Sequence, residues 1–375
     1  PVWDGSPLID KILFIYCEQG IGDEIMFSSC IPDLIAQHPK LLIIECDARL
    51  KPLFHRSFPQ VIIQEKNKQQ EYVSPLEKEN IDFHIPMGSL PRYLRINLSA
   101  FPKRSAFIKP NIGLYHKWVG RFNNLGSAIK IGIAWRGGGT AYEKRCRSTN
   151  LKLWKSILQS DAQFVNLQYG DCHNEISQVY KSTGITIYDW SDADPLKDLD
   201  NFAAQIAALD LVITIDNSTA HFAGALGIPT WVLLPFAPDW RWLLDRDDSP
   251  WYPTVRLFRQ KEIGDWEAVF NEVHQALIEE SMTFQKAVYL SDVLASTIKA
   301  FRGENITEGN QRLVELLSLL NSETVELPED KVLKLKSLLN ESLNHLKNRN
   351  YSSLADILEM NITHLLGLSE ASISN

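Results

Sequence analysis

No Cys-x-x-Cys pair occurs in this 375-residue chain, and its five cysteines (Cys17, Cys30, Cys46, Cys146, Cys172) are odd in number and scattered. That excludes a disulfide framework and a cysteine zinc site, and predicts the reduced thiols of a cytoplasmic protein. Also lacking is any run near the roughly 18 uninterrupted apolar residues of a membrane span, which excludes an integral membrane helix. Basic excess is absent as well: 38 Lys+Arg face 46 Asp+Glu, for a net charge of −8. Nucleic acid is therefore disfavoured as a partner, whereas a local basic pocket for a phosphate is not. No basic, then apolar, leader opens the chain, so no secretory signal is visible. It opens on Pro1 without a methionine, which predicts a fragment of something longer.

What is present is ordinary globular composition, 45% hydrophobic and 22% charged, at a length that implies two or three domains. Composition changes near residue 280. All ten tryptophans lie at or before Trp266, and of the 18 prolines only Pro328 lies beyond 280. The tail, 281–375, instead carries apolar residues at helical spacing (Leu313, Leu316, Leu317, Leu320; then Val332, Leu335, Leu339, Leu343, Leu346). Pro328 suits the start of a helix after a break. The tail is expected to be an all-helical module of about four helices.

Before that boundary, short β-branched runs (12–16, 41–45, 61–64, 81–85, 130–135, 164–167, 211–215, 230–234 and 255–258) are separated by amphipathic patterns at 25–37, 151–158, 199–208 and 266–277. Alternating strands and helices imply parallel sheets joined by right-handed crossovers. Residues 110–128 have no clear period and read as a seam. The expected fold is α/β: two Rossmann-type halves, 1–112 and 128–280, followed by the helical module 281–375. In such sheets ligands sit beyond the carboxyl ends of the strands, so the loops there are the places to look.

The first loop is Glu18-Gln-Gly-Ile-Gly-Asp23-Glu24. A dinucleotide fingerprint, with Glu45 or Asp47 as the ribose acid, fails because Ile25 stands where the third glycine belongs. Two accounts of Asp23 remain open: a helix cap, or a base aimed into a cleft. The second loop, Trp135-Arg136-Gly-Gly-Gly-Thr140 with Lys144, Arg145 and Arg147 after it, suits a diphosphate, because the planar fork of arginine holds phosphate bidentately. A solvated basic hairpin is the plainer account. In the third segment a buried strand ends at Asp216, and Asn217, Ser218 and Thr219 can cap a helix of small residues whose positive end would meet a phosphate. His221, in its first turn, could donate to that phosphate or polarise a leaving group.

Asp216-Asn-Ser-Thr-Ala-His221-x-Ala-Gly-Ala-Leu-Gly-x-Pro229 resembles the donor-site signature of the heptosyltransferase-like glycosyltransferases (family nine), which have the two-domain GT-B fold. Trp3-Asp-Gly-Ser-Pro7, Glu18-Gln-Gly-Ile-Gly-Asp23, Leu234-Pro-Phe-Ala-Pro-Asp-Trp-Arg-Trp-Leu-Leu244 and Asp248-Ser-Pro-Trp-Tyr-Pro253 are more similar still to the glycosyltransferase domain that follows tetratricopeptide repeats in many bacterial proteins. The resemblance covers about residues 1–280 in colinear order. It implies repeats upstream of Pro1, although no 34-residue repeat is visible in the chain itself. It also implies Asp23 as general base, Arg147 at the donor phosphates, Gln168 and Tyr169 at the nucleoside, and Asp216 to His221 (Ser218 and Thr219 among them) at diphosphate and sugar. Two departures leave the donor open: Arg136-Gly-Gly-Gly-Thr140 replaces a Gly-Asn-Pro-like turn, and Asn217 a commoner threonine.

The expected activity is transfer of a sugar from a nucleotide-sugar to a hydroxyl of a protein or glycan, inverting and needing neither metal nor cofactor. Asp23 and His221 are the catalytic candidates; Arg136, Arg147, Gln168, Tyr169, Asp216, Ser218 and Thr219 are the donor ligands. Asp192-Ala-Asp194 is the nearest approach to a metal-binding Asp-x-Asp, and it reads as helix-flanking caps. The alternative is a catalytically silent GT-B scaffold that binds proteins. The tail would pack locally, dock an acceptor such as a flagellar or surface protein, or mediate self-association.

Overall fold

The computed structural model describes residues 1–66, 81–303, 305–323, 329–362 and 365. The chain divides into two compact units, Pro1–Ile278 and Glu279–Asn375.

The first unit holds two parallel sheets. The smaller has four strands in the order β3-β2-β1-β4: β1 (Ile12–Tyr16), β2 (Leu41–Cys46), β3 (Ile62–Glu65) and β4 (Phe83–Pro86). Phe14 lies opposite Ile43 on one side and His84 on the other. Helices α1 (Ile21–Ser28), α2 (Ile31–Ile35), α3 (Lys51–Ser57) and α4 (Pro91–Leu94) complete this half. The expected single helix over 25–37 is two: the chain turns at Ser29 and Cys30, and Pro32, which has no N–H to donate, enters the first turn of α2.

Residues 110–128, which show no clear period in the sequence, nevertheless hold a helix between the strands of the two sheets. Residues Ile112–Asn123 form a helix, α5. Asn111 caps it by accepting from the Leu114 amide at 3.1 Å. Trp118 and Phe122, one turn apart, are both buried. The Trp118 indole donates to Asn201 at 2.9 Å, so the aromatic residues that blurred the period are the buried face of the helix.

The second sheet has six strands in the order β10-β9-β8-β5-β6-β7. They are β5 (Ile129–Ala134), β6 (Ala162–Asn166), β7 (Ile187–Tyr188), β8 (Leu211–Ile215), β9 (Thr230–Leu234) and β10 (Val255–Arg259). All five residues of β8 and of β9 are buried, a run that is apolar but for Thr214 and Thr230, as in strands covered on both faces. Between and after them come α6 (Ala141–Arg147), α7 (Lys155–Leu158), α8 (His173–Thr183), α9 (Leu199–Ala207), α10 (Ser218–Leu226) and α11 (Trp266–Arg302). The glycine loop therefore leads into helix α6 and not into a hairpin.

In the second unit the later turns of α11 are followed by α12 (Ile306–Glu323), α13 (Glu329–Lys347) and α14 (Tyr351–Asp356). Leu294, Leu316, Leu320, Leu335, Leu354 and Leu358 are among the buried residues of a core of its own. Pro328 lies outside the described residues. Among the described residues, no helix is long and apolar enough to cross a membrane.

Candidate active site

The carboxyl ends of β1, β5, β8 and β9 face one cleft of about 650 Å³. The smaller sheet supplies the loop after β1. There Asp23 Oδ2 accepts from the Gly20 amide at 3.2 Å, so Asp23 does cap the first turn of α1. Its other oxygen, Oδ1, takes Nη2 of Arg241 from the opposite half. At Gly22, the residue before Asp23, the two halves come close. A Cβ added to Gly22 would stand 3.0 Å from His221 Cδ2 and 3.6 Å from Ser218 Cα, so a side chain on this face of α1 would press on the imidazole.

Glu24 and Asp47 continue the wall. Glu24 is 4% exposed and accepts from the Asp47 amide at 2.9 Å. Burial pushes its carboxyl up to about 7, against the hydrogen bond, which favours the ionised form. Asp47 in turn holds Arg49 through two contacts of 2.9 Å.

On the other side, Asn217 Oδ1 accepts from the Thr219 amide at 2.9 Å and caps α10. Asp216, at the end of β8, is buried, and burial raises its carboxyl against the opposing pull of Trp242 and Arg147. Arg147 Nη1 stands 3.9 Å from Asp216 Oδ2 while Nη2 donates to the Gly138 carbonyl. His221 Nδ1 is 2.8 Å from the Tyr252 hydroxyl, and the imidazole stacks on Trp242 with centroids 5.5 Å apart. Burial, then the nearby Arg241 charge, lowers His221 to about 3. It is a neutral imidazole at ordinary pH, fit to hydrogen-bond but not to carry a charge.

Of the residues singled out in the sequence, Asp23, Arg147, Tyr169, Asp216, Ser218 and His221 line this cleft. The other three turn elsewhere. The Arg136 guanidinium pairs with Glu175 at 3.1 Å and with the Asp171 carbonyl at 3.0 Å. Gln168 is consumed as a loop brace, its Oε1 accepting from the Trp135 and Arg136 amides at 2.9 and 2.7 Å. Thr219 is buried beneath the start of α10. Asp192 pairs with Lys117 and Arg121, and Asp194 accepts from the Leu196 amide; α9 is capped instead by Asp198. Among the described residues, no group of three or more His, Cys, Asp or Glu is placed to hold a metal ion.

Sequence reasoning missed Asp239 and Arg241. Both lie within the Leu234–Leu244 run that carried the resemblance, and Asp239 Oδ1 accepts from Arg241 Nη1 at 2.6 Å. A second, more apolar chamber of about 550 Å³ adjoins the cleft, lined by Tyr142, Phe236, Ile263 and Trp266, and shares Arg147, Asp216 and Asp239 with it.

The sequence matches no family model. It is 35% identical over 287 residues to the protein FlbA of Caulobacter vibrioides, an alignment covering 73% of this chain and 48% of FlbA. The chain thus spans about half the length of the curated relative it matches. Among solved structures it is similar to a glycosyl transferase of family 9 from Veillonella parvula, with a TM-score of 0.53 and 12% identity over 74% of this chain and 98% of that one. Another is the ADP-heptose lipopolysaccharide heptosyltransferase II of E. coli, with a TM-score of 0.49 and 16% identity over 72% and 99%. The fold is GT-B.

Proposed function

We propose that the chain is a glycosyltransferase that moves a sugar from a nucleotide-sugar to a hydroxyl of a protein or glycan acceptor. One observation carries the reading. A carboxylate from one half (Asp23), a guanidinium from the other (Arg147) and a neutral imidazole at a helix start (His221) share a single cleft at the carboxyl ends of the strands. Inverting transfer needs a base to take the acceptor proton and positive or donor groups where charge gathers on the departing phosphate. Asp23 meets the first need; Arg147, the start of α10 and His221 meet the second. The apolar chamber beside Arg147 and Asp216 suits a nucleoside, with the diphosphate lying between the chamber and the cleft. The reading needs no metal, because guanidinium and helix terminus supply the positive field.

The test is to screen sugar nucleotides of each common base for binding and for slow donor hydrolysis, then repeat with Asp23→Asn. Turnover should drop by roughly 10²-fold or more while donor binding survives. A protein that consumes no sugar nucleotide from the panel would instead fit a silent scaffold. Near-normal transfer by Asp23→Asn would reduce Asp23 to a helix cap.

A further inference from the structure

Both oxygens of the Asp23 carboxylate are engaged. One holds the Gly20 amide; the other holds Arg241 across the cleft. Arg241 rides on a short 3-10 turn, Trp240–Trp242, after β9. Its side chain is only 14% exposed, its guanidinium lies 4.9 Å from the centroid of the Trp240 ring, and its Nε has no partner. The backbone that presents it is costly. Leu243 closes the turn at φ +53° and ψ −169°, a region that disfavours a branched side chain, and Asp245 follows at φ +55°. Arg259 fixes the turn by donating to the Trp242 carbonyl at 2.6 Å and the Arg246 carbonyl at 2.7 Å. Around it, three carboxylates (Asp23, Asp216, Asp239) share two guanidiniums (Arg147, Arg241), so an arriving phosphate has to displace a carboxylate to reach Nη2 of Arg241.

We propose, on the basis of the donor site above, that Arg241 is a ligand of the donor phosphate which Asp23 holds in reserve. An entering phosphate takes Nη2 and the unpartnered Nε, and the Asp23–Arg241 pair breaks. Asp239 stays on Nη1 and keeps the guanidinium in place. Asp23 Oδ1 is then free to accept the proton of the acceptor hydroxyl. As that proton moves to Asp23, the acceptor oxygen bonds to the anomeric carbon, and the carbon–oxygen bond to phosphate breaks with its electron pair leaving on the phosphate. Arg241 and Arg147 receive that charge. The exchange couples the two substrates: the base comes into play only once the donor is seated, so donor binds before acceptor.

The exchange is tested on the full chain by calorimetry, with ADP, GDP, UDP, CMP and inorganic pyrophosphate as probes, across Asp23→Asn, Arg241→Gln and the double variant. Asp23→Asn should tighten the best probe by about 5- to 50-fold, because the pair no longer has to be broken. Arg241→Gln should weaken it about 10-fold or more. In the Arg241→Gln background Asp23→Asn should change nothing. If Arg241→Gln does not fold, Arg241→Lys gives the same cycle with a smaller coupling. Binding by the parent protein that Asp23→Asn leaves unchanged overturns the exchange alone. An equal gain with and without Arg241 also overturns it, since Asp23 would then merely repel phosphate. No binding of any probe by any of the four proteins overturns the donor site and this inference with it.

Discussion

Glu24 shows how far burial moves a single group in this cleft. Its carboxyl sits at about 7 in the folded protein against 4.5 ordinarily, so the fold prefers the protonated form. A group raised in this way contributes its stability in full below the unfolded value and loses it as pH climbs through 7. Glu24→Gln, which keeps an acceptor for the Asp47 amide, should therefore raise stability at pH 8 by on the order of 1–3 kcal/mol and change little at pH 4. Denaturant unfolding at the two pH values checks this, and an equal effect at both would contradict it. Arg147 offers a second test: Arg147→Ala should weaken nucleotide binding by about 1.5–3 kcal/mol, the scale of a hydrogen bond to a charged group, as read by calorimetry. Unchanged affinity would remove Arg147 from the site. The loops bearing these residues were legible in the sequence, because glycines after an apolar run mark the end of a buried strand. Side-chain direction was not. Arg136 and Arg147 are both arginines of one loop region, yet Glu175 draws the first away and Asp216 leaves the second on the cleft. Arg241 stood in plain view within its motif, but its partner, Asp23, is 218 positions away, and spacing along the chain carries no trace of such a pair.

At the scale of elements, α10 sets how closely the second sheet's helix can approach its neighbours. A Cβ at Gly224 would fall 2.5 Å from Cγ of the Tyr252 ring. Tyr252 is buried, and its hydroxyl meets His221, so Gly224→Ala must shift the aromatic ring and with it the imidazole. A loss of about 1–3 kcal/mol in stability is expected, the usual cost of overpacking, together with weaker nucleotide binding. Thermal melting and calorimetry on one preparation read both, and a variant as stable as the parent would show that the ring yields freely. Elements like β8 and β9 were legible because strands buried on both faces are nearly continuous apolar, β-branched runs. The two-residue β7 has too few residues to show a period, and α5 hid its period because its buried face is built of aromatics among polar neighbours. The break between α1 and α2 was signalled by Pro32, but the apolar spacing on either side runs on as though the helix were continuous.

At the scale of the whole molecule, each unit has a core of its own. The large cluster of the first unit is built from residues of both sheets and their helices, ending at Leu257, whereas that of the second runs from Leu290 to Leu365. The first turns of α11 bury Val269, Phe270, Val273 and Leu277, and all four precede the division at Ile278. A chain ending at Ile278 would thus keep the cleft, the second chamber and the buried start of α11, while losing a helical unit whose packing residues serve mostly one another. It should fold, melt in one step and bind nucleotide with the affinity of the full chain. On the account in which the helical unit docks the acceptor, transfer to the natural acceptor should fall; on the account in which it only packs locally, transfer should be unchanged. The comparison is made by calorimetry with the best-binding nucleotide and by transfer assayed in bacterial extract with a labelled donor. An insoluble shortened chain, or one that no longer binds nucleotide, would assign the helical unit to the transferase core. Unimpaired transfer would leave it no part in choosing the acceptor.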